Sequence, residues 1–222
     1  MRRLYHNILS PVCRKVRIAL VEKGLNCELI AEDFICSRAD FLKMNPTGEV
    51  PVFIDANGTV VPDHSVICEF LEETYPTPSL IPKEPLARIE ARRLTRFFDE
   101  KFSRDVSAPL LMEKVIKSLK IGGTPNSNII RRSKALLREH LKYIEWLVVR
   151  RNWLAGEDFS YADIAAAAHL SIVDYLGDID WDKFADAKDW YSRIKSRRSF
   201  RGILRDRQTG FVPPSYYSEL DF

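Results

Sequence analysis

The hydrophobic pattern of this chain changes period once, and prolines mark the change. Before residue 76, short alternating runs interleave with runs of helical spacing. After residue 86, every apolar run is helical. Pro76-Thr77-Pro78 and Pro82-Lys83-Glu84-Pro85 bracket the join. A chain of 222 residues is long enough for two cores. The pattern predicts a small α/β domain over residues 1–78 and an all-helical domain over residues 86–222, with an extended tail from about residue 207.

In the first domain, residues 3–8 alternate apolar and polar as a strand does. Ser10-Pro11 then opens a helix, because serine caps well and proline suits the first helical position. Val12, Val16, Ala19 and Leu20 recur at helical spacing, and Gly24 closes the run. A second strand is predicted over 27–34 and a short helix over 38–44. Asn45-Pro46-Thr47-Gly48-Glu49-Val50-Pro51 reads as a structured loop. Two β-branched runs, 52–55 and 59–61, flank Asn57-Gly58, a strong hairpin signal. Asp63 can cap a helix carrying Val66, Ile67, Phe70 and Leu71 on one face. The order is therefore β-α-β-α-β-β-α.

In the second domain one long helix is expected from about Leu86 toward Leu119, ended by Gly122-Gly123-Thr124-Pro125. Another is expected over 127–149. A third starts at Ser160, where Ser160-Tyr161-Ala162-Asp163 resembles a capping box. Its run from Ile164 to Leu170 is almost uninterrupted, so it is expected at the centre of the helical domain. Further helices are predicted near 185–195 and 199–205.

No apolar run reaches about 18 residues, so no membrane insertion is expected. The start, Met1-Arg2-Arg3-Leu4-Tyr5-His6, lacks the apolar core of a signal peptide, and the chain is expected to be cytoplasmic. Cys13, Cys27, Cys36 and Cys68 show no metal-site spacing; four free thiols and no metal are expected. Residues 1–82 carry 8 basic and 11 acidic side chains, whereas residues 193–207 hold seven basic and one acidic. No nucleic-acid motif accompanies that basic cluster.

Four segments stand in register along nearly the whole chain. They are Ser10-Pro11, the Asn45–Pro51 loop, the run from Ile67 to Pro76, and Leu154 to Asp163. Together they resemble the cytosolic glutathione transferase family. The resemblance implies a thioredoxin-like N-terminal domain, an all-α C-terminal domain and a homodimer, with glutathione as substrate or ligand and no other cofactor. Ser10 falls where serine-type members place the hydroxyl that activates glutathione. A hydroxyl donated to a thiolate is worth about 1.5–3 kcal/mol, roughly one to two pK units. Ser10 can equally serve as a helix cap, and both roles stay open. Cys13 stands where a dithiol relative carries its second cysteine; the first is absent, so packing is its expected role. Val50-Pro51 matches the family's cis-proline turn, which offers the Val50 backbone to a peptide-like ligand. Asp63-His64 departs from the family's usual Glu-Ser or Gln-Ser. His64 either replaces the serine as donor or weakens the hold on the γ-glutamyl carboxylate.

Arg193, Arg197, Arg201 and Arg205 lie four apart and would form one stripe on a continuous helix. Such a stripe is either a solvated face or a site for an acidic protein. The tail, rich in aromatic and acidic residues after Pro213-Pro214, is a loose end, a strap or a docking peptide. It resembles the ending of a bacterial branch of this fold, the FtsZ-binding glutathione-transferase-like division proteins. That resemblance implies FtsZ filaments as a partner, met by the four arginines and by Glu219, Asp221 and Phe222. Two functions follow. One is a non-catalytic cell-division regulator; the other is an active glutathione S-transferase in which Ser10 stabilises the thiolate.

Overall fold

The hairpin at Asn57-Gly58 forms one end of a four-stranded sheet in a computed structural model of the chain. The structure describes residues 1–35 and 38–220, without the side chain of Lys120. The expectations for Cys36, Asp221 and Phe222 lie outside the described residues. The chain divides into two compact units, Met1–Leu80 and Ile81–Phe222.

In the first unit the sheet order is β2-β1-β3-β4. β1 (Arg3–His6) runs parallel to β2 (Glu28–Ala31) and antiparallel to β3 (Val52–Ile54), which pairs antiparallel with β4 (Val60–Pro62). Gly58 sits at φ 89, and its N–H returns to the Asp55 carbonyl at 3.0 Å, closing the hairpin. Three helices, α1 (Pro11–Glu22), α2 (Ala39–Met44) and α3 (His64–Thr74), complete the expected order. α1 begins as its sequence dictates, with Ser10 as cap and Pro11 in the first turn. One expectation fails on α3. Ile67, Cys68 and Leu71 are buried, but Val66 is 49% exposed. Val66 lies about 100° around the helix from Ile67, on the rim of the apolar face.

The second unit is helical throughout. α4 (Pro85–Arg96) continues without a break into a wider π-wound stretch (Phe97–Ser107), then α5 (Ala108–Leu111), then a second π-wound stretch (Met112–Ile121). The widening before α5 has a cause: Pro109 has no N–H to return to the Asp105 carbonyl. Gly122, left-handed at φ 72, ends the run. α6 (Ser127–Val148) is capped by Asn126. α7 (Tyr161–Tyr175) is buried along its whole length and packs against α4 and the first π stretch. It begins with the expected capping box of Ser160 and Asp163. α8 (Ala185–Lys195) and α9 (Arg201–Leu204) are separate. The chain between them is extended at Arg197, with φ −69 and ψ 144. The four arginines therefore do not share one helical face.

Candidate functional site

Ser10 lies at the mouth of α1, 4% exposed, and its Oγ accepts the Cys13 backbone N–H at 3.3 Å. The hydroxyl is thus a helix cap, and its proton is left for another acceptor. Cys13 is fully buried beside Phe41, Val50 and Val52, with Tyr5 and Met44 packed on the cluster. Burial pushes its thiol up to about 11, so it stays protonated and packs as a small hydrophobe. Cys13 also joins two parts of the site. It donates its backbone N–H to Ser10 and packs its side chain against Val50.

The Val50-Pro51 peptide is cis. Its loop is braced from within. Asn45 donates its side-chain amide to the Glu49 carbonyl at 2.8 Å, and its Oδ1 accepts the Thr47 N–H and hydroxyl at 3.3 and 3.1 Å. Gly48, at φ 73, makes the turn. These bonds fix the shape of the loop, and Val50 packs in one cluster with Cys13 of α1.

The third part is the start of α3. Asp63 holds a left-handed φ of 71, the single such non-glycine among the described residues. A conformation of that kind costs on the order of 1–3 kcal/mol and concentrates at ligand sites and turns. The Asp63 carboxylate accepts the N–H groups of Ser65 and Val66 at 2.6 and 3.3 Å, so the cap is supplied from within the chain. His64, the first residue of the helix, turns its ring toward α1. Its Nδ1 lies 2.8 Å from the Nζ of Lys15 and 3.2 Å from the Ser65 hydroxyl. A lysine ammonium can only donate, so in this contact Nδ1 is the acceptor. Lys15 itself is 1% exposed. A buried ammonium needs acceptors, and the imidazole is one of them. Sequence reasoning missed Lys15; three basic residues in the apolar α1, Arg14, Lys15 and Arg17, were the available signal.

Chemically, the two parts of this candidate site differ. The Ser10 and Val50-Pro51 half keeps a hydroxyl beside a helix start and a cis turn. The Asp63-His64 half carries an imidazole committed to Lys15. No group of three or more His, Cys, Asp or Glu side chains among the described residues is placed to hold a metal. No helix among them is long and apolar enough to cross a membrane.

The helical unit separates the arginines. Arg193 lies 4.7 Å from the Trp153 ring centre and donates to the Asn152 carbonyl at 2.8 Å. Arg197 stacks 4.0 Å over Phe159. Both brace the loop before α7. Arg201 and Arg205 remain exposed. The tail is a strap: Tyr217 is fully buried, and Phe211 stacks on Tyr175 at 5.5 Å. Glu219 and Leu220 beyond it are exposed.

The profile described as glutathione S-transferase, N-terminal domain, matches residues 4–79, and that of the glutathione S-transferase C-terminal domain matches 109–198. FtsZ-localized protein A of Caulobacter vibrioides is 43% identical, over 100% of this chain and 98% of that protein. The crystal structure of a glutathione S-transferase from Rhodospirillum rubrum is 49% identical, with a TM-score of 0.97 and full coverage of both chains. The structure of FzlA from C. crescentus is 43% identical, with a TM-score of 0.96, covering 100% of this chain and 99% of that one. The sheet, the cis turn, the capped central helix and these end-to-end matches agree: the chain belongs to the glutathione S-transferase family.

Proposed function

We propose that this protein is a non-catalytic, FtsZ-binding regulator of cell division, acting in the cytoplasm as a homodimer of the glutathione transferase fold. The observation that carries this reading is the similarity to FtsZ-localized protein A along the whole chain, tail included. The altered cleft supports it, since the imidazole of His64 is engaged by Lys15. The thioredoxin-like part, residues 1–78, supplies a cleft of the glutathione type; the helical part, 86–222, supplies the partner surface and the tail. Arg201, Arg205 and Glu219 are exposed and available to a filament, with Asp221 and Phe222 next in sequence. Exposed apolar side chains support a dimer. Leu86 and Ile89 on α4, Trp146 on α6 and Val149 at its C-terminal cap lie on helices tied together by Arg93 and Tyr143. Co-pelleting with GTP-assembled FtsZ filaments, with and without residues 213–222, tests the reading. Co-pelleting that depends on those residues is expected. Absence of co-pelleting by the full chain ends it.

The second reading is an active glutathione S-transferase, favoured by Ser10 at the start of α1 and by the cis Val50-Pro51 turn. There the Ser10 hydroxyl donates to the glutathione sulfur and the thiolate attacks an electrophile. Calorimetry with glutathione separates the two. Micromolar binding that is lost in Ser10→Ala supports the transferase; no heat at millimolar glutathione removes it.

A further inference from the structure

We propose that residues 207–218 form a latch that holds Glu219 and Leu220 in one register on the helical unit, with Tyr217 and Lys195 as its positioning residues. What that segment meets rests on the FtsZ reading; the latch itself rests on geometry.

The latch closes on the last residues of two helices. Tyr175 ends α7, and the strap grips it from three directions. The Tyr217 ring meets it edge-on at 5.1 Å, the Phe211 ring stacks on it at 5.5 Å, and its hydroxyl accepts the Gln208 N–H at 2.9 Å. Tyr217 is held in turn by its own hydroxyl, which donates to the Ile203 carbonyl of α9 at 3.1 Å. Lys195 ends α8. Its Nζ donates to the Tyr216 carbonyl at 3.3 Å and lies 3.8 Å from Asp174, both side chains wholly buried. Asp174 also accepts from the Trp181 indole at 2.9 Å. A buried ammonium tied at once to a core carboxylate and to the strap backbone fixes the height of that backbone.

The strap is also closed on itself. Arg207 donates to the Ser218 hydroxyl at 2.8 Å, joining its two ends. Pro213 and Pro214 remove backbone freedom just before the turn at Ser215–Ser218. The Glu219 N–H returns to the Tyr216 carbonyl at 3.0 Å. Exposed side chains resume at Ser218, Glu219 and Leu220. Among the described residues the last point of burial is therefore Tyr217, two residues before the exposed acid. A segment fixed so close to its anchor meets a partner with little ordering left to do, which is the advantage of preorganisation.

The test uses the full chain, with amide exchange and FtsZ co-pelleting measured on wild type, Tyr217→Phe and Tyr217→Ala. The wild-type amides of Gln208, Tyr217 and Glu219 are expected to be protected. Tyr217→Ala is expected to lose that protection by at least about tenfold while α7 keeps its own, and to lose at least about tenfold in affinity for filaments. Tyr217→Phe keeps the ring and loses one hydroxyl contact, so it is expected to retain most of both. If Tyr217→Ala does not fold, Arg207→Ala, which opens the clip to Ser218 together with the bonds to the Leu204 and Asp206 carbonyls, takes its place. Unprotected amides in the wild type overturn the latch. So does a released strap with undiminished co-pelleting. If the wild type never co-pellets, the FtsZ reading falls, while the exchange data still decide whether the latch exists.

Discussion

Replacing His64 by serine places a hydroxyl at the first position of α3 and removes an imidazole. Two consequences of opposite sign follow. The new hydroxyl can donate to a ligand carboxylate, and one hydrogen bond to a charged group is worth about 1.5–3 kcal/mol. That is roughly ten- to a hundred-and-fifty-fold in affinity. The lost imidazole was an acceptor 2.8 Å from the buried Lys15 ammonium. A serine hydroxyl is too short to reach the same place, so the folded protein loses a charge-assisted bond of comparable size, about 1.5–3 kcal/mol. His64→Ser is therefore expected to gain glutathione affinity at least about tenfold and to lose stability at once. Titration calorimetry with glutathione at pH 7 reads the first effect, and urea denaturation without ligand reads the second. A variant that binds glutathione no better than wild type refutes the claim that His64 weakens the γ-glutamyl half of the cleft. Unchanged stability refutes the structural weight given to the Lys15 contact.

Ser10→Ala removes the cap of α1 and is expected to cost about 1 kcal/mol, while Ser10→Gly costs only a few tenths; urea midpoints of the two variants compare them. Asp163→Ala deprives the buried N–H groups of Leu154, Ser160 and Trp190 of their acceptor. Each orphaned donor costs about 1–3 kcal/mol, and burial, which pushes the Asp163 carboxyl up to about 6, returns only part of that when the charge is removed. A net loss above about 2 kcal/mol is expected from denaturation followed by tryptophan fluorescence, and a loss below about half that value counts against Asp163 as the shared acceptor of these groups. Burial holds the His140 imidazole below its ordinary value of 6.5, against the pull of Asp105 at 3.1 Å. The neutral ring is thus favoured by folding. Its contribution is complete above pH 6.5 and declines as pH falls through the lower folded value. Unfolding free energies at pH 7.5 and about pH 5.5 are expected to differ more in wild type than in His140→Gln; equal differences would count against the assignment.

The fold could be read from the chain because its punctuation is local. Ser10-Pro11, Asn57-Gly58, Gly122 and Ser160 with Asp163 each act within a few residues. Each stands where an element begins, turns or ends. Val66 was misplaced because a helical period locates the centre of an apolar face better than its rim. The arginine repeat failed for a related reason. A spacing of four implies a shared face only if the helix is continuous, and the extended backbone at Arg197 interrupts it. Ser10 as the cap of α1, the Val50-Pro51 turn and Asp63 as the cap of α3 were recognisable because each sits in a local motif.

Lys15, Lys195 and Tyr217 were not recognisable, and the reason is common to all three. Each takes its role from a residue distant in sequence: His64 for Lys15, Asp174 for Lys195, Tyr175 for Tyr217. A lysine within an apolar helix is equally consistent with a solvated rim, and an aromatic tail after two prolines is equally consistent with a loose end. What separates these alternatives is burial, a property of the packed unit. Lys15 and Lys195 are almost wholly withdrawn from water, where an ammonium persists only with acceptors around it. The positions they occupy are therefore ones at which the packed structure fixes polar geometry. One orients the imidazole at the head of α3, and the other fixes the backbone of the strap. In the reading proposed here these two buried lysines govern the two functional features of the chain. The first sets what the cleft can hold, and the second sets how the tail is presented.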